Sequence, residues 1–307
     1  MDSPSPASQY PEIRRIFISP DEARLRAGWR IVVHAVVYNL LLICAAVPLY
    51  LASLLLGISP ENLWLSVAIQ LFTVTPTVFL ARRFLDRRSI TSLGLKFDRQ
   101  AVFDLLAGIG ITFLLMASIF AIEFFMGWLT IEGFAWQTSS TFQVWSSMLG
   151  MILAFILVGW NEELLFRGYR LQNMLAGGLS PIWAILISSA WFGVVHLANP
   201  NATWVAAVGI LFAGIFMAYP VIRTGQLWFS MGLHIGWNLF EGPVFGFPVS
   251  GLSPFTLTRI SVQGPELLTG GEFGPEAGLV LLPALLIGMG MLYVFTRNRL
   301  KPAAVRG

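Results

Sequence analysis

The chain is short of charge. Asp, Glu, Lys and Arg make up only 11% of its 307 residues, and histidine occurs three times. Soluble domains carry about 25% charged residues, so a water-facing shell of ordinary density cannot be built. Cysteine is almost absent: Cys44 is the one thiol, which excludes a disulfide framework or a cluster of thiolate ligands within the chain. A His-Glu-x-x-His zinc motif and a Gly-x-Ser-x-Gly elbow are missing. So are a phosphate-binding loop, a dinucleotide fingerprint and a haem-attachment motif. The net charge of +3 does not gather on one polar face, and no nucleic-acid partner is expected.

Apolar surface is what the chain has in excess. Hydrophobic residues reach 56% and mean hydropathy is +0.73. A helix needs about 20 apolar residues to cross the acyl core of a bilayer. Uncharged stretches of about that size recur at Ile31–Ile58, Leu63–Ala81, Leu105–Ile122, Val144–Trp160 and Ala277–Thr296. No charge at all lies between Arg170 and Arg223. That stretch is too long for one span, and Asn199-Pro200-Asn201 divides it into two. A shorter run, Gln226–Phe240, follows Thr224-Gly225. The expected fold is all-α, a polytopic membrane helix bundle of about eight transmembrane helices with the seventh short, in contact with membrane lipid. Residues 1–30 form a polar N-terminal segment, and 31–143 hold three helices and a basic loop. Residues 144–241 hold four core helices. Residues 242–275 form an external loop, rich in Gly and Pro and with little regular structure. Residues 276–307 are the last helix and a basic tail.

With this division every one of the 19 Lys and Arg residues except Arg259 falls on one side. Arg14, Arg15, Lys301 and Arg306 are counted with the two ends, and Arg167 and Arg170 with the fourth-to-fifth connection. The positive-inside bias makes that side cytosolic, with both termini cytoplasmic. The polar start lacks a short apolar region and a cleavage site, so the first helix reads as an uncleaved anchor.

Ionisable groups inside a span persist when they pair, line water or do chemistry. Asp104 and Glu123 bracket the third helix and read as interfacial. His34 reads as a hydrogen-bonded structural histidine near the cytosolic side, and Glu241 as a solvated residue at the outer end of the seventh helix. The run Asn161-Glu162-Glu163-Leu164-Leu165-Phe166-Arg167 is different. Glu163 and Arg167 are one helical turn apart and can pair. Glu162, turned about 100° away, lacks that partner. A carboxylate without its counter-ion in a low-dielectric site is suited to act as a general base.

Arithmetic tests whether His196 can join it. Residues 162 and 196 are equidistant from 179, and Gly177-Gly178-Leu179-Ser180-Pro181 is a turn signal at that point. If the fourth helix continues to this turn and the fifth returns from it, the two side chains stand at matching height. His234 and Asn238 form a further polar pair at i, i+4. Asn199-Pro200-Asn201 then falls within the membrane depth, where irregular backbone must be buried in protein or face water, and is expected to border the cavity. Trp191, Phe192 and Trp204 read as packing residues.

These parts can activate water. Glu162 takes its proton, His196 positions or shares that proton, and His234 with Asn238 donates to a developing oxyanion. Glu163 and Arg167 support the site, and Phe192 walls the His196 ring. The residues leave zinc open as an alternative, with Glu162, His196 and His234 as ligands and water in the fourth position. A non-catalytic membrane protein, serving immunity, scaffolding or transport with the same polar cluster, is the competing class.

In these residues the chain resembles the CPBP (CAAX protease and bacteriocin-processing, or Abi) family of intramembrane endopeptidases, whose eukaryotic members are the type II CAAX prenyl endopeptidases. Glu-Glu-x-x-x-Arg stands as Glu162 to Arg167, Phe-x-x-x-His as Phe192 to His196, and His-x-x-x-Asn as His234 to Asn238. The resemblance covers residues 144–240. Ser92-Leu93-Gly94-Leu95 is a weak echo of it. Thr269–Glu276 looks like a segment of some bacterial members. The resemblance implies a glutamate-dependent peptidase of the bacterial cytoplasmic membrane acting on a peptide or protein substrate, CAAX-type or bacteriocin-like. The first Glu and first His would activate water, and the second His and Asn would form the oxyanion site.

Overall fold

A computed structural model describes residues 16–19, 22, 24–57 and 63–299. Arg14, Arg15, Lys301 and Arg306, named in the charge count, lie outside the described residues, as does Ile58 at the end of the first expected span. Among the described residues eight main helices follow one another: α1 (Ala27–Leu55), α2 (Leu63–Leu80), α3 (Arg99–Phe125), α4 (Thr141–Glu163), α5 (Pro181–Val195), α6 (Trp204–Thr224), α7 (Trp228–Leu239) and α8 (Leu281–Thr296). Among the described residues six helical spans are long and apolar enough to cross a membrane, the fourth of them running without a break from Thr141 to Ala176. The protein is a helical, multi-pass integral membrane bundle. Large side chains such as Phe72, Phe142 and Leu286 stand on its outside, where lipid takes the place of water as the solvent.

Helix boundaries follow local chemistry. Asp98 caps α3 by accepting from the Ala101 amide at 3.1 Å. Ser140 and Gln143 form a capping box that starts α4. Pro181 stands in the first turn of α5, where its missing N–H costs nothing. Gly225, at φ +67°, ends α6 in the left-handed conformation.

The seventh helix is short because it is interior. Every residue of α7 from Phe229 to Asn238 is buried. Its neighbour α3 comes close enough that a Cβ on Gly232 would collide with the Leu105 carbonyl, and one on Gly108 would stand 2.6 Å from the Phe229 carbonyl. Small residues at such crossings let backbones touch, the packing mode helices use in lipid.

Several expectations are corrected. The structure adds a small antiparallel sheet, β1 (Leu129–Phe134) with β2 (Thr258–Val262). Segment 242–275 therefore carries regular structure, β2 and two short helical turns, Glu266–Thr269 and Gly271–Phe273. It folds back on itself, the Gly251 amide donating to the Phe273 carbonyl at 2.8 Å, and on the bundle, where Asn199 donates to the Ser250 carbonyl at 3.0 Å. That return covers Glu241, which is fully buried instead of solvated. Glu123 is also fully buried, and neither oxygen has a hydrogen-bond partner among the described residues. Asp104 is buried as well, held by Arg299 and by Gln100 at 2.8 Å. His34 makes no side-chain hydrogen bond there; it packs between the rings of Tyr38 and Tyr169, at 6.2 and 4.3 Å. Arg167 and Arg170 are not connection residues. The continued fourth span carries them inside the protein, at 1% and 2% exposure.

Candidate active site

The continuation of α4 sets the geometry. Beyond Glu163 the helix widens into a π-helical stretch, Leu164–Leu171, and then closes with Gln172–Ala176 before the turn into α5. Single π segments inside α-helices are frequent at functional sites. Leu164 through Leu171 are all buried. The return of α5 brings His196 back to the height of Glu162, at the point where α5 tightens into the 3-10 turn His196–Ala198.

Glu162 Oε2 lies 3.8 Å from Nε2 of His196 and 3.6 Å from Nε2 of His234. These spacings exceed a direct hydrogen bond and suit a shared water. Each ring is oriented from behind. His196 Nδ1 lies 2.7 Å from the Phe192 carbonyl. A carbonyl only accepts, so Nδ1 carries the proton and Nε2 offers its lone pair to the cavity. His234 Nδ1 lies 2.9 Å from Glu163 Oε1, which also accepts from Arg167 at 2.8 Å. That carboxylate is thus acceptor to both, and His234 likewise turns Nε2 toward Glu162. Ser230 donates to the second oxygen of Glu163, leaving no part of this buried acid unused.

Phe192 fills the space between these groups. Its ring is 4.5 Å from the His196 ring and 6.0 Å from that of His234, and the Arg167 guanidinium stands 4.3 Å above it. A cavity of about 390 Å³ opens onto the cluster, lined by Glu162, His196, His234 and Asn238. Asn199 also lines it, where the Asn-Pro-Asn turn meets the cavity, and donates to the Ser250 carbonyl at 3.0 Å. Trp204 is 73% exposed and has no place there. Among the described residues no group of three or more His, Cys, Asp or Glu side chains is arranged to hold a metal ion.

Three cavity residues escaped the sequence reading. Asn161 is fully buried, with neither amide atom hydrogen-bonded among the described residues. Arg170 lines the cavity on the side of Tyr38. Glu276 enters from the returning outer segment and accepts from the Ser250 hydroxyl. Burial raises the Glu276 carboxyl above the usual carboxylate range, against the pull of that hydroxyl and of the two histidines. Close approach admits it: a Cβ on Gly209 of α6 would collide with the Glu276 carbonyl. The dense glycines of Thr269–Gly278 were the available signal.

Residues 144–240 match the family model for Rce1-like proteins, described as type II CAAX prenyl endopeptidase Rce1-like. All three motifs lie in this segment. An uncharacterized protein of Bacillus subtilis, YyaK, is 32% identical over 185 residues, which are 58% of this chain and 60% of the relative. The chain thus spans less than two thirds of the length of that curated relative. No solved structure matches the chain.

Proposed function

We propose that the protein is an intramembrane endopeptidase that hydrolyses a peptide bond of a membrane-associated, CAAX-type substrate with a water activated by Glu162 and His196. The observation that carries this reading is the position of Glu162 Oε2, 3.8 and 3.6 Å from the two Nε2 atoms and free of any hydrogen-bond partner among the described residues.

A water seated between Glu162 Oε2 and His196 Nε2 donates one hydrogen to each. Glu162 takes a proton as the water oxygen bonds to the scissile carbonyl carbon, and the carbonyl π pair moves onto oxygen. The Asn238 amide donates to that oxyanion. His234 joins it only when the ring carries both protons, since Nδ1–H is already given to Glu163. As the C–N bond breaks, the proton held by Glu162 passes to the leaving nitrogen and the carbonyl re-forms. Glu163 and Arg167 do not touch the reacting atoms; they hold the His234 ring and, through Phe192, the wall beside His196. The cytosolic placement of both termini belongs to the same reading, and it rests on the bias of the basic residues.

The test is cleavage of a CAAX-type membrane peptide by purified protein in detergent. Glu162→Ala is expected to abolish it. Full activity in that variant would remove Glu162 from the chemistry.

A further inference from the structure

The buried arginines of this protein have carboxylate partners, with one exception. Arg30 and Arg82 share Asp86, at 3.2 and 2.8 Å. Arg167 has Glu163 at 2.8 Å, and Arg24 has Glu22. Arg170 has no carboxylate partner among the described residues, although it is only 2% exposed. Its Nε and Nη1 atoms make no hydrogen bond. The guanidinium lies 3.7 Å from the centre of the Trp191 ring and 4.6 Å from that of Phe166. The aromatic contacts take the π faces of the guanidinium and leave its N–H edge uncommitted. Burying a cation without an anion is expensive, and Arg170 lines the same cavity as Glu162.

We propose that Arg170 is a substrate-binding residue that pairs with the terminal carboxylate of the peptide. The inference rests on the peptidase reading and adds to it the side chain that holds the end of the substrate. Arg170 follows Glu162 by eight positions on one continuous helix, at most about 12 Å at 1.5 Å per residue. An extended peptide covers about 3.3 Å per residue. That axial rise corresponds to roughly three to four residues of extended peptide. A planar guanidinium edge with two parallel N–H groups is the natural partner of a carboxylate. Tyr38, which lines the cavity beside it, offers a further hydroxyl.

The experiment measures binding, so that it does not depend on turnover. Protein carrying Glu162→Gln is placed in phosphatidylcholine nanodiscs and titrated with a fluorescent peptide whose prenylated cysteine is fourth from the end. The peptide is made with a free C-terminal acid and as its amide. The acid is expected to bind roughly tenfold or more tighter than the amide, the size of a charge-assisted hydrogen bond. Arg170→Gln should bring the two to equal affinity, and Arg170→Lys should restore part of the difference. Equal binding of acid and amide, binding of neither, or an acid preference that survives Arg170→Gln would overturn the proposal. Should Arg170→Gln not fold, the acid-to-amide ratio with Arg170 in place still decides. The titration is repeated with phosphatidylglycerol in the nanodisc. An Arg170 effect seen only there would assign the guanidinium to lipid phosphate and overturn the peptide reading. A protein that shows the acid preference but cleaves no peptide keeps this inference and loses the peptidase one.

Discussion

Glu163 Oε1 accepts from both Arg167, at 2.8 Å, and His234 Nδ1, at 2.9 Å. One buried oxygen thus ties the α4 arginine to the α7 imidazole, and the second acid of the pair orients the ring that the first acid faces. A carboxylate behind a histidine fixes its tautomer and its orientation.

The two adjacent acids should therefore fail differently. Glu162→Gln is expected to lower peptide cleavage by about 10²- to 10⁴-fold, the range of general-base loss. It should leave the melting temperature in detergent nearly unchanged, because Glu162 Oε2 makes no hydrogen bond among the described residues.

Glu163→Gln leaves Arg167 buried without its anion. The expected cost is about 3–5 kcal/mol of stability, read as a lower denaturation midpoint in detergent. Activity falls too, because His234 is no longer held in one tautomer. A Glu163→Gln protein that melts like the parent would show that this carboxylate is not ionised in place.

Packing at α3 and α7 gives a third expectation. Gly232→Ala puts a Cβ against the Leu105 carbonyl, and α7 must shift. Overpacking of this kind costs about 1–3 kcal/mol, and the shift displaces His234 two residues on. Both the melting temperature and the turnover rate should fall, and Gly110→Ala on α3, which meets nothing within 4 Å, is the control.

Glu276 makes stability depend on pH. Its folded carboxyl titrates above the unfolded value because of burial. Its contribution is fully present below the unfolded value and is lost as pH rises through the raised folded one. Melting temperature should decline across that interval on the alkaline side of the ordinary carboxylate range. Glu276→Gln, neutral at every pH, should flatten the decline.

Metal dependence can be read directly. With no set of three donor side chains arranged around an ion among the described residues, cleavage should survive treatment with a strong zinc chelator. Loss on chelation and recovery with zinc would instead make Glu162, His196 and His234 ligands.

The spans and the hairpin arithmetic were legible because lipid imposes one simple rule, apolar length, and because Gly177 to Pro181 marks the turn. The meeting of Glu162 with His196 followed from symmetry about that turn. Glu276 and Arg170 were hidden for opposite reasons. Glu276 reaches the cavity through a long segment whose path depends on backbone close approaches at Gly209 and Gly274, which no periodicity records. Arg170 was counted with the fourth-to-fifth connection because a basic residue just beyond an apolar run normally lies outside the bilayer. Only the unbroken course of the fourth span puts it inside. Glu241 was placed in solvent and Glu123 at the interface by their positions at helix ends, and the tertiary cover over those ends was not visible in a linear pattern.

The chamber is walled partly by Val249, Ser250, Leu252 and Glu276, all C-terminal to the last motif residue, Asn238. A truncated chain stopping at residue 240 would keep every signature position yet lose one side of its reaction vessel. The minimal working unit is thus longer than the stretch by which it is recognised, and a miniaturised version would have to retain the returning segment as well.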